Sequence, residues 1–449
     1  MTTRGAMLMN AGFSIPNFWD GATWRAHSCP CGDAMPETGW HGWVLPGLVN
    51  AHSHAFQRAM AGLAEHRIAS AGDAQDSFWS WRETMYAFAA RLDPETLHAV
   101  AAQAYVEMLE AGYTQVCEFH YLHHAQDGKS YAPVTAMSAA LIAAARETGI
   151  GLTLLPTLYM AGGFDRRPLA ARQQRFVHTL DAFLDLLTEL RAQQGPGLNV
   201  GIALHSLRAV PPEALAALLE SGLAARGPLH IHIAEQTAEI DDCLAARGQR
   251  PVAWLLDHAP IDARWCLVHA THMDTEETAR LARSGAVVAL CPSTEANLGD
   301  GLFALDSYLD AGGRIAIGSD SNISISPVEE LRWLEYGQRL IRRARNLAAS
   351  AQQSHTGTRL YALALAGGRQ AAGLDAAPQD AALLHLDAAH PVLAERCPEE
   401  VLDTWIFAGN VPLLRDVCVG GRHLVRAGHH VQREAIARRY RQALVRLRA

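Results

Sequence analysis

Two histidines one residue apart, His52-Ser53-His54, follow an apolar run at 43–50. Side chains alternate along a strand, so both imidazoles point the same way, which suits two ligands of one metal. The pair alone is a weak signal, because surface histidines are common. It gains weight from three other places. His230-Ile231-His232-Ile233-Ala234-Glu235 lies on and after the run at 229–233, His269 follows the run at 265–268, and Gly318-Ser319-Asp320 follows the run at 314–317. Neutral imidazoles with a carboxylate make a borderline-soft site suited to Zn2+ or Fe2+, with room for water. Water on such a metal reaches a pKa near ~7, and a nearby glutamate can carry a proton to a leaving group. The chain's one lysine, Lys129, sits in the turn-like stretch Gln126-Asp127-Gly128-Lys129-Ser130, so no usable lysine bridges two ions and one metal is expected. His120, His123 and His124 form a second cluster that reads as loop or shell.

Elements must bring these residues together. Short apolar runs at 43–50, 114–119, 151–158, 198–204, 229–233, 265–268, 286–290 and 314–317 alternate with helix-period stretches such as 94–111 and 211–223. Repeated βα units of this kind predict a parallel (β/α)8 TIM-like barrel, whose chemistry sits at the C-terminal strand ends. Ser326-Pro327-Val328-Glu329 reads as a capping box with proline at the first helical position. Residues 343–358 read as a loop. Residues 1–44 and 379–449 lack that alternation; they hold strand-like pieces, a Gly420-Gly421 hairpin signal and a terminal helix. They predict a small β domain built from both ends, with the barrel at 45–378.

Composition narrows the function. Apolar residues make up 49% and charged residues 19%, enough for a large core, and the net charge of −8 argues against nucleic acid or an anionic membrane as partner. No run of 18 apolar residues predicts a membrane span. The eight cysteines are scattered, with one close pair at Cys29 and Cys31, and a reducing cytoplasm is the expected compartment.

The sequence resembles the amidohydrolase superfamily, mononuclear deaminase branch, through Pro46-Gly47-Leu48-Val49-Asn50-Ala51-His52-Ser53-His54, His232 with Glu235, His269 and Asp320. More narrowly it is similar to the formimidoylglutamate deiminase family of histidine degradation, through the blocks at 54–60, 77–83, 118–121, 205–210, 293–300 and 329–337. The resemblance implies one Zn2+ (Fe2+ being the alternative) held by His52, His54, His232 and Asp320. It makes Glu235 the proton shuttle, sets His269 and Asp320 to orient the attacking water, and makes Gln57, Arg82, Tyr121, His205 and Arg208 substrate contacts. The implied reaction is hydrolysis of N-formimino-L-glutamate to N-formyl-L-glutamate and ammonia, in a homodimer. Arginine forks suit a small dicarboxylate. A deaminase of a ring amidine, purine- or triazine-like, is the rival within the superfamily; it needs an aromatic pocket without paired arginines. A catalytically dead barrel is the rival outside it, and needs a broken ligand set.

Overall fold

The computed structural model of the chain describes residues 13–29, 40, 42–66, 78–374 and 382–448. Cys31, Ser77 and residues 379–381 lie outside them. The strands in chain order are β1 (Phe13–Trp19), β2 (Trp24–Cys29), β3 (Trp43–Pro46), β4 (Leu48–Ser53), β5 (Tyr113–His120), β6 (Gly151–Leu158), β7 (Leu198–Val200) and β8 (Ile202–Ser206). They continue as β9 (Leu229–Ile233), β10 (Trp265–His269), β11 (Val287–Leu290), β12 (Arg314–Ile317), β13 (Ala382–Leu386), β14 (Leu414–Val419), β15 (Arg422–Arg426) and β16 (His429–His430).

β4, β5, β6, β8, β9, β10, β11 and β12 lie side by side in that order and are parallel, with β7 paired to β6 off the path. Ser53, at the end of β4, bridges Asp320, just past β12, so the run comes round to meet itself as a (β/α)8 barrel. β4, β6, β9 and β10 are buried at every position. That is the pattern of strands covered by helices on one face and by the barrel interior on the other. A second sheet, in the order β16-β15-β14-β13-β3-β1-β2, draws on both chain ends.

The apolar run at 43–50 is not one strand. β3 pairs with β1 and β13 in the second sheet, whereas β4 pairs with β5 in the barrel. The chain crosses at Gly47, whose N–H donates to the Ala382 carbonyl at 3.0 Å; a Cβ there would lie 2.2 Å from Thr114 Oγ1. The run at 198–204 likewise divides around Gly201 into β7 and β8.

Side-chain chemistry fixes the helix ends. Asp93 caps the helix Pro94–Ala111 by accepting the Thr96 N–H at 2.8 Å, while Thr96 Oγ1 accepts the Asp93 N–H at 2.9 Å. At Ser326 the box is half made. Ser326 accepts the Glu329 N–H at 3.2 Å, but the Glu329 carboxylate takes the Ser324 hydroxyl instead. Gly420 and Gly421, at φ 55° and 77°, turn β14 into β15.

Candidate functional site

Each barrel strand delivers its residues where regular pairing ends. His52 comes from β4, His232 from β9 and His269 from β10, while His54 directly follows β4 and Asp320 follows β12. Five non-glycine residues here hold left-handed backbone: Ala234 (φ 52°), His269 (69°), Ala270 (49°), Asp320 (44°) and Asn322 (56°). Such conformations cost of order ~1–3 kcal/mol each and persist where the surroundings over-determine them, typically at working sites.

The donors converge. His232 Nε2 lies 3.0 Å from His52 Nε2, and Asp320 Oδ1 lies 3.3 Å from His52 Nε2 and 3.4 Å from His54 Nε2. His54 donates through Nδ1 to the Phe119 carbonyl at 2.8 Å, and His232 donates through Nδ1 to the His205 carbonyl at 2.8 Å. A neutral imidazole carries one proton, so both Nε2 atoms present lone pairs inward. Burial keeps the rings neutral. It pulls His52 down to about 3, with His54 and His269 adding to it against Asp320, and it lowers His54 and His232 as well. Lone pairs and a carboxylate oxygen crowded this closely repel one another unless a cation sits among them. The donor set fits one divalent transition-metal ion.

His269 has a different setting. Its Nδ1 donates to Glu295 Oε1 at 3.2 Å, and that oxygen also accepts the Cys291 N–H at 2.9 Å. Its Nε2 faces Glu235 Oε1 and Asp320 Oδ2, each at 3.9 Å. Burial alone would lower His269, but Glu235, Glu295 and Asp320 outweigh it and raise the ring to about 10. Glu235 is itself raised, first by burial and then by Asp320, against His269 and Arg208. His269, Glu235 and Asp320 thus form one set of facing acid and base groups next to the donor set. Glu295 was not singled out from sequence; nothing local marks a residue that reaches across from the next βα unit.

His54, Gln57, Arg82, Tyr121, His205, Arg208, His232, Glu235, His269 and Asp320 all line one pocket with about 580 Å³ of empty volume, and His52 lies fully buried beside it. Trp81, Tyr86, Tyr159 and Phe176 complete its walls. Tyr121 accepts the Gln57 amide N–H at 2.9 Å, and the Arg82 guanidinium stands 5.2 Å over the Tyr86 ring. Arg208 Nε is buried and has no acceptor among the described residues. The pocket thus brings the candidate metal donors, two guanidinium groups and several aromatic rings onto one wall. His123 and His124 instead pack against His178, and His120 against His123, and none of them joins a metal-holding group among the described residues. Lys129 is exposed and pairs with Asp127 at 2.8 Å.

Residues 43–375 match the model of the Amidohydrolase family. The chain is 52% identical over 408 residues to the formimidoylglutamate deiminase of Pseudomonas aeruginosa, covering 90% of this chain and 89% of that protein. A crystal structure of an amidohydrolase from Brucella melitensis is 42% identical, with a TM-score of 0.90 over 98% of this chain and 100% of that one. An adenosine deaminase from Xanthomonas campestris with bound zinc is 20% identical, with a TM-score of 0.73 over 90% and 86% of the two chains, a likeness of fold alone.

Proposed function

The chain belongs to the amidohydrolase family, and from that membership we propose that it hydrolyses N-formimino-L-glutamate to N-formyl-L-glutamate and ammonia. The observation that carries the substrate is the placing of Arg82 and Arg208 on the wall of the pocket that holds the donor set. Two guanidinium groups at a fixed reach from a metal suit a substrate with two carboxylates and a reactive amidine carbon. We assign the ion to zinc, one per chain, in a cytoplasmic homodimer that serves histidine degradation.

The donor set is His52, His54, His232 and Asp320. A divalent ion held by these residues would supply Lewis-acid activation of the attacking water and of the formimino group. The chain's own residues do the rest. Asp320 Oδ2 takes the proton released as water oxygen bonds the formimino carbon, and His269, whose Nε2 lies 3.9 Å from that carboxylate oxygen, orients the attacking water. Glu235, whose carboxyl burial pushes up, delivers a proton to the departing nitrogen. The proton taken from water then passes to the same nitrogen, the hydroxyl proton on the carbon returns to Glu235 as the C–N bond breaks, ammonia leaves, and the carbon is left as a formyl group. Proton delivery spares the reaction an amide-anion leaving group. Arg82, Arg208, Tyr121, His205 and Gln57 hold the rest of the substrate, so that the energy of binding the carboxylates positions the carbon.

The aromatic walls, Trp81, Tyr86 and Phe176, also suit a ring amidine. One assay separates the readings: ammonia release by metal-loaded enzyme from N-formimino-L-glutamate, beside guanine, cytosine and N-formylglutamate. Release from the first substrate alone supports the proposal. Release from guanine or cytosine, with none from N-formimino-L-glutamate, refutes it.

A further inference from the structure

Tyr159 directly follows β6, is buried, and packs its ring 4.4 Å from that of His205. It sits where the reaction pocket meets a second cavity of about 1140 Å³; both cavities share Arg82, Tyr159, His205 and Arg208. Its hydroxyl is surrounded by donors. Gln173 Nε2 lies 2.8 Å away and Arg82 Nη2 3.5 Å away. The Gln173 amide has its orientation fixed, because its Oε1 accepts the Ala170 N–H at 2.9 Å. The group facing Tyr159 is therefore the NH2, which can donate and not accept. A guanidinium has no acceptor either. Both contacts therefore use lone pairs of the phenolic oxygen, and its own proton is left over. Among the described residues the hydroxyl has no acceptor.

A buried hydroxyl polarised by two N–H donors is a strong donor in search of a partner. The cationic Arg82 beside it selects a partner with negative charge. We propose that Tyr159 is a substrate-binding residue whose hydroxyl donates to the carboxylate held by Arg82, with Gln173 fixing the direction of that donation. The proposal rests on the dicarboxylate reading of the pocket. It adds a neutral donor to the guanidinium forks and names Gln173 as the residue that positions it.

The test compares N-formimino-L-glutamate with its two monocarboxylate analogues, N-formiminoglycine and N-formimino-γ-aminobutyrate, in unaltered enzyme, Tyr159→Phe, Arg82→Ala and the double variant, all metal-loaded. Tyr159→Phe keeps the ring, so fold and metal content should hold. It should lower kcat/KM for N-formimino-L-glutamate roughly 10- to 100-fold, the scale of a hydrogen bond to a charged group. The same loss should appear with the one analogue that keeps the Arg82-held carboxylate, which Arg82→Ala identifies, and the other analogue should change by about twofold or less. Equal losses on all three substrates, or no loss, overturn the proposal. In the Arg82→Ala background, Tyr159→Phe should cost roughly a further tenfold. No further loss means that Tyr159 acts only through Arg82, and refutes direct donation. Failure of the unaltered enzyme on N-formimino-L-glutamate would sink the dicarboxylate reading itself, an outcome distinct from a selective change in the variant.

Discussion

Asp320 and His52 meet through backbone and side chain at once: the Asp320 N–H donates to the His52 carbonyl at 2.9 Å, and Asp320 Oδ1 lies 3.3 Å from His52 Nε2. The His54 N–H returns a bond to the Asp320 carbonyl at 2.9 Å. Around this seam the Asn50 side chain accepts the Ser319 N–H at 3.0 Å and donates to Ser319 Oγ at 2.6 Å, while Asn322 donates to the His54 carbonyl at 3.1 Å. Gly318 runs so close that a Cβ on it would come 2.7 Å from the His52 carbonyl oxygen. The first and last strands of the barrel are closed by the residues proposed to hold the metal.

Metal binding should therefore stabilise the fold as well as enable the chemistry. Clean protein should carry close to one equivalent of metal, and His232→Ala should lose most of it. An ion bound to the native state alone, at a free concentration 100-fold above its Kd, adds about 2.7 kcal/mol. Chelation should lower the thermal midpoint of the unaltered protein and leave that of His232→Ala nearly still. Two equivalents in active enzyme would contradict the single-ion assignment.

Glu235→Gln separates proton transfer from ligation. The amide keeps the shape but cannot shuttle a proton, so metal content should stay and kcat should fall by roughly 10²-fold or more. Joint loss of metal and activity would make Glu235 a ligand or a structural residue.

The guanidinium pair sets substrate length. N-formiminoglycine, with one carboxylate, should be a far poorer substrate than N-formimino-L-glutamate, by roughly 30- to 1000-fold in kcat/KM for one desolvated fork. One of Arg82→Ala and Arg208→Ala should close most of that gap, and the other should weaken both substrates alike. Equal turnover of the two substrates by unaltered enzyme would favour the ring-amidine alternative.

How much of this is legible in the sequence depends on distance along the chain. His52, His54, His232 and Asp320 can be read because each lies at the end of its own apolar run and a barrel gathers such ends. Glu295 and Tyr159 stand beside strand ends too. Their roles depend on partners elsewhere, His269 for one, Gln173 and Arg82 for the other, and spacing does not encode those contacts. The switch from β3 to β4 is invisible for another reason: both strands are buried, so hydrophobicity does not change where the sheet does.

Asp416 tests the second sheet independently of the site. It accepts hydrogen bonds from His385 at 3.0 Å and His423 at 3.0 Å, and Trp40 stacks on the His385 ring at 5.1 Å. Burial pushes its carboxyl up, but these hydrogen bonds outweigh burial and hold it below the ordinary value of 3.8. Its contribution is complete above that value and is lost as the pH falls below it, towards the depressed native value. Asp416→Asn should cost roughly 1–3 kcal/mol at neutral pH, read as a lower unfolding midpoint. The variant's deficit should shrink in acid, with metal content and kcat unchanged. A deficit that is the same at pH 3 and pH 7 would count against the charged pairing.

Gly47 also limits how this chain can vary. From Trp43 to His52 successive residues pass from one sheet into another without a loop to absorb a change in length. Adding or removing one residue between Gly47 and His52 would turn both histidines to the opposite face of β4, because side chains alternate with a period of two. Insertions of the kind that surface loops absorb are excluded here. This stretch can exchange its side chains within limits, but its length is fixed by the two imidazoles at its end.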